Sequence, residues 1–200
     1  MRTVPEALVL LSSLKKGKPG IGTGTLLSSK AAGGMICELG FGARVAQQGE
    51  QLVLLDDTAL EDEDLTYALG LFDPEKKRAL FKWIRAIMKE MDPAELYHAR
   101  LVDAGVIDEA GGTFRKRFEL ADPQQGELLL EEATSARETG QAADGRIAAI
   151  AALNWLSSKG PALELARSEP LLAAVFSMVR QMAQARSQGG AAANTIARGS

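Results

Sequence analysis

The sequence predicts a mainly α protein: a helical bundle core around a buried central helix, with amphipathic helices and two short β-hairpins. Three observations carry this prediction. Apolar residues recur at three- and four-residue spacing through much of the chain, as in Leu80, Trp83, Ile84, Ile87 and Met88. Residues 146–158 set Ile147, Ile150, Ala151, Leu153 and Trp155 on nearly every side of a helix, the pattern of a helix buried among others. Strand-like runs bounded by turn residues are confined to the neighbourhoods of 45–55 and 106–120.

In chain order, 4–14 reads as a short core helix, with Pro5 in its first turn and Leu8, Leu11 and Leu14 on one face. Residues 15–24 combine Gly17, Pro19, Gly20, Gly22 and Gly24 with three lysines, a composition for a basic loop and not for regular structure. A helix over 25–40 follows. Its small residues Ala31, Ala32, Gly33 and Gly34 suit close approach of another backbone, because each mid-helix glycine costs about 1 kcal/mol that packing must offset. Val45 and 52–55 form a hairpin turning at Gln48 and Gly49. The acidic run 56–64 is a solvated connection leading into 65–71, and a helix starts at Pro74. Pro93 opens the next helix, which Gly105 ends in a left-handed cap. Val106, Ile107 and 114–120 make the second hairpin, followed by helices over 124–136, 146–158 and 171–185. The domain is expected to span 1–186, with 187–200 a flexible tail rich in Gly and Ala.

The 200 residues are 46% hydrophobic and carry a formal net charge of −3. That is enough apolar material for one core, and the acidic balance argues against a surface that tracks nucleic acid as a whole. Any anionic partner must be met by a local basic patch. One cysteine precludes an internal disulfide and fits a cytoplasmic protein. The most apolar window, 147–156, is about half the length that crosses a bilayer as a helix, so membrane association is expected to be peripheral.

No catalytic set emerges, and no cofactor or metal is implied. His98 is the only histidine and has no neighbouring ligand in sequence, which suits a structural or surface role. Cys37, between Ile36 and Glu38, suits a buried inert thiol. The glycines at 20, 22 and 24 have neither the spacing nor the preceding strand of a dinucleotide fingerprint. What they do offer is a glycine-rich loop entering a helix N-terminus. With Lys15, Lys16, Lys18, Gly22, Thr23 and Thr25, and Arg44 further on, this is the candidate anion or lipid-headgroup site, against the plainer alternative of solvated lysines on a loop. The helix ending at Gly105, followed by a hairpin bearing Arg115, Lys116 and Arg117, also suggests a winged helix touching phosphates. The acidic composition makes nucleic acid the less favoured partner, and charges on an edge hairpin serve solubility as well.

Several segments, in order, resemble the Golgi phosphoprotein 3 (GPP34) family. They are the opening Glu6-Ala7-Leu8-Val9-Leu10-Leu11, then Gly33-Gly34-Met35-Ile36-Cys37-Glu38-Leu39 with Arg44 after it, and Trp83-Ile84. Arg100-Leu101-Val102-Asp103-Ala104-Gly105-Val106-Ile107, the exit 118–123 and the apolar 146–156 complete the match. The resemblance implies a non-enzymatic helical domain and an exposed hairpin used in self-association, here Phe114, Arg115, Lys116, Arg117 and Phe118. It further implies a peripheral membrane adaptor on the cytoplasmic face, with membrane-enzyme clients and a homo-oligomeric state. Eukaryotic members bind phosphatidylinositol 4-phosphate. Aligned by hand, their headgroup-binding tryptophan falls at Thr23 and their three arginines at Ala32, Met91 and Ala94, so the charge-assisted phosphate contacts are missing here. The chain also lacks the basic N-terminal arm of eukaryotic members, as expected of a prokaryotic-type relative. The functional expectation is therefore a phosphoinositide-like or other anionic headgroup met through the basic loop. A winged-helix nucleic-acid binder and a pure protein scaffold are the alternatives.

Overall fold

The computed structural model describes residues 2–14, 23–49, 51–73, 78–110, 117–156 and 160–197. Among these residues the chain forms α1 (Val4–Ser13), α2 (Thr23–Phe41), β1 (Val45–Gln48), β2 (Gln51–Leu54), α3 (Glu63–Gly70), β3 (Arg78–Ala79) and α4 (Leu80–Met91). It continues with α5 (Pro93–Asp103), β4 (Ile107–Ala110), β5 (Arg117–Leu120), α6 (Pro123–Thr139), α7 (Gly145–Asn154), α8 (Pro161–Arg167) and α9 (Pro170–Ala197). The mainly α fold with two edge hairpins is as expected.

The centre is larger than one helix. Every residue of α7 from Ile147 to Asn154 is buried, as the all-round apolar pattern predicts. Residues 31–39 of α2 are equally buried, and α2 packs against α1, α4, α5, α7 and α9. Helix α1 also buries Val9 and Leu10 along with Leu8 and Leu11, so it is enclosed and not one-sided. Two glycines make this crowding feasible. A Cβ on Gly33 would stand 2.8 Å from Val175 Cγ1 of α9, and one on Gly34 3.0 Å from Val4 Cγ1 and 3.1 Å from the Pro5 backbone nitrogen of α1. Each glycine thus admits a neighbouring helix on its own side of α2.

Helix ends follow local chemistry. At the C-terminus of α5, Val106 N–H bonds Leu101 C=O at 2.9 Å and Gly105 N–H bonds Val102 C=O at 2.8 Å, with Gly105 at φ 64°. This is the Schellman arrangement that the glycine predicts. Helix α2 ends in the same way through Arg44 N–H to Leu39 C=O and Ala43 N–H to Gly40 C=O, but the left-handed residue is Ala43, at φ 54°. In the first turn of α1, Thr3 N–H donates to Glu6 Oε2 at 3.1 Å, while the Thr3 hydroxyl itself finds no partner.

Two expectations are corrected. The helix expected from Pro74 begins at Leu80, and residues 78–79 form a third strand on β2, pairing Gln51 with Ala79 and Leu52 with Arg78. The acidic run is more than a solvated connection: Asp62 caps α3 by accepting from the Asp64 and Leu65 amides. Helix α9 runs from Pro170 to Ala197. Both hairpins stand where expected, β1 with β2 around Gly49 and β4 with β5 in the register Ile107 to Leu120.

Candidate functional site

Cationic side chains fall into two groups, those neutralised within the fold and those left facing water. Glu38 on α2 is 5% exposed and accepts Nε of Arg146 on both carboxylate oxygens, at 3.0 Å each, with Nη2 at 2.9 Å from Oε2. Its Oε1 also accepts the Val4 amide at 2.8 Å, so one buried carboxylate ties α1, α2 and α7 together. Arg100 of α5 donates to Asp62 at 2.7 Å and Asp64 at 3.2 Å, lies 3.5 Å from Glu6 and stacks over the Tyr97 ring. Burial, reinforced by the neighbouring Asp62 and Asp64 charges, holds the Tyr97 phenol well above its ordinary range, and burial likewise raises the Asp64 carboxyl. Arg44 pairs with Asp56 across the open end of the β1–β2 hairpin.

Of the sequence-selected headgroup residues, Lys15, Lys16, Lys18 and Gly22 lie outside the described residues. Thr23 opens α2 and Thr25 is exposed in its first turn. Arg44 sits at the far end of that helix, engaged with Asp56, so the described residues do not bring it to Thr23 and Thr25. In the hairpin, Phe114, Arg115 and Lys116 are outside the described residues, while Arg117 and Phe118 belong to β5. Helix α5, the recognition helix of a winged-helix reading, exposes Glu95 and Asp103, and its Arg100 is committed to carboxylates. Cys37 is buried, and burial with the adjacent Glu38 charge holds its thiol well above the ordinary range, as an inert cysteine requires.

The positions aligned with the family's headgroup contacts lie about the packing of α2 on α4 and α5. Ser28, a turn into α2, donates to Asp92 Oδ1 at 2.5 Å, and Asp92 is the single residue between α4 and α5. Ala32 follows Ser28 by one helical turn on the same face and is fully buried. Met91 and Ala94 flank Asp92 and Pro93, and Ala94 is 5% exposed. The floor is therefore alanine and the polar group at the junction is a carboxylate. The residues named at this junction include no cation to hold a phosphate, and the Asp92 carboxylate opposes one.

Sequence reading missed the strongest basic feature nearby. Between Glu75 and Glu90 the chain carries Lys76, Lys77, Arg78, Lys82, Arg85 and Lys89 and no acidic residue. In α4, Leu80, Trp83, Ile84 and Ile87 are buried, while Phe81, Lys82, Arg85 and Lys89 are exposed. At about 100° per residue the four exposed side chains fall within roughly 100° of arc, opposite the buried set. Phe81 is 37% exposed, and Arg85 lies over its ring at 5.5 Å. Lys89 pairs with Glu90 at 2.9 Å, which raises its pKa through that hydrogen bond and charge, whereas Lys82 has no ion-pair partner among the described residues. The signal was present in sequence as a basic stripe opposite an apolar one. It was read only for its apolar half.

Curated proteins yield no match to the sequence. The family model of Golgi phosphoprotein 3 (GPP34), however, matches residues 4–197, from the start of α1 to the end of α9. With nearly the whole chain inside that match, and the mainly α fold described above, the protein belongs to the Golgi phosphoprotein 3 family.

Proposed function

We propose that this protein is a non-enzymatic peripheral membrane adaptor that meets an anionic lipid surface on its cytoplasmic side. The observation that carries the proposal is a concentrated, outward-facing basic surface on a chain whose net charge is −3. Family membership supports an adaptor role, with membrane enzymes as clients and self-association through the β4–β5 hairpin. No helix among the described residues is long and apolar enough to cross a membrane, which is consistent with peripheral attachment. The lysines at 15, 16 and 18, which precede α2 in sequence, add to the cations available for such contact.

Co-sedimentation with phosphatidylcholine vesicles, with and without anionic lipid, tests this reading. Binding only to the anionic vesicles, weakened by salt, is the expected result. No binding to either leaves a protein scaffold as the function and removes the lipid from the account.

A further inference from the structure

We infer that α4 is the element that touches the bilayer, lying in the headgroup region with Phe81 inserted, and that it reads surface charge density instead of one headgroup. The inference rests on the anionic-membrane reading above and narrows it. Two independent observations meet in it.

The first is what the α4–α5 junction lacks among the described residues. A stereospecific phosphate site needs convergent donors held by the fold, usually arginines in bidentate geometry. Here the junction presents Ala32, Met91 and Ala94 around the Ser28–Asp92 hydrogen bond, and the carboxylate of Asp92 opposes an anion. The arginines that are rigidly held, Arg100 and Arg146, face Asp62, Asp64 and Glu38.

The second is what α4 offers. Lys82, Arg85 and Lys89 share one exposed stripe with the ring of Phe81, Arg85 over that ring and Lys89 beside Glu90, while Trp83 anchors the opposite face in the core. An amphipathic arrangement of this kind binds a membrane interface through summed charge attraction and a shallow apolar contact. Flexible lysines do not fix the orientation of a ligand, and Arg85 already leans on Phe81. Such a stripe discriminates by charge per area. Glu90 marks its edge and sets its limit at the C-terminal turn of α4.

The test is vesicle flotation of the full chain against three membranes: phosphatidylcholine alone, phosphatidylcholine with phosphatidylglycerol, and phosphatidylcholine with phosphatidylinositol 4-phosphate adjusted to equal surface potential. The two anionic membranes should bind equally. Lys82→Glu should weaken both by about 25-fold, since each unit of charge near an anionic surface contributes roughly a factor of five and the change reverses a charge. Phe81→Ala should weaken both about tenfold through lost apolar contact. Arg167→Glu, at an exposed position of the partly buried helix α8, should bind as the wild type does. Thermal midpoints and circular dichroism establish that each variant is folded. Preference for the phosphoinositide at equal potential, or undiminished binding by folded Lys82→Glu, overturns the inference while leaving the membrane reading standing. Failure of the wild type on every anionic membrane instead removes the reading on which it rests.

Discussion

The Glu38–Arg146 pair and the outer face of α4 use charge in opposite ways. Glu38 is buried and satisfied by Arg146 and the Val4 amide, so its cation has its partner inside the protein. Lys82 and Arg85 face water, and Arg85 lies over the Phe81 ring. The comparison separates charge that holds the family fold together from charge left at its surface. The charge that joins helices is held by neighbours on three elements, whereas Arg85 and Lys89 touch only residues of α4 itself in the contacts described above.

Mutations should separate these two uses. Glu38→Ala strands Arg146 and an amide, and should cost about 3 kcal/mol, short of the full buried-pair value because Arg146 is 43% exposed. Denaturant unfolding measures this, and a loss below about 1 kcal/mol contradicts the role assigned to the pair. Gly34→Ala comes next. Overpacking against Val4 and the Pro5 backbone should destabilise by roughly 1–3 kcal/mol, partly offset by the helix preference of alanine. Ala43→Gly should raise stability by up to about 1 kcal/mol, because it relieves a left-handed non-glycine residue in the cap of α2. The smallest effect belongs to α4. Lys82→Glu with Arg85→Glu should change unfolding stability by no more than about 0.5 kcal/mol while abolishing anionic-vesicle binding, and a large stability loss would merge the two regions that the comparison keeps apart.

Much of the fold was legible in sequence because its signals are local. Pro5, Pro93 and Gly105 mark helix ends by backbone restriction, and both hairpins announce themselves through turn residues. The all-round apolar pattern of α7 and the paired glycines of α2 likewise anticipate close packing. Strand β3 was not legible, since two residues carry no alternating pattern and are held by pairing with β2. Nor was the role of Asp62, whose partner Arg100 is distant in sequence. The loop lysines stood out because glycines surround them, yet the described basic surface is on α4. Helical spacing spreads Lys82, Arg85 and Lys89 along the sequence, and only folding places them side by side.

The most direct measurement of the central claim is the depth of α4 in a bilayer. Cys37 is the only cysteine and is buried, so Phe81→Cys and, separately, Leu128→Cys can each be labelled selectively with an apolar fluorophore. Leu128 is the exposed control, on α6. Quenching by brominated acyl chains in phosphatidylglycerol-containing vesicles is predicted for the label at 81 and not at 128, and should vanish in phosphatidylcholine alone. Equal quenching at both positions, or none at 81 while the protein is bound, contradicts the account.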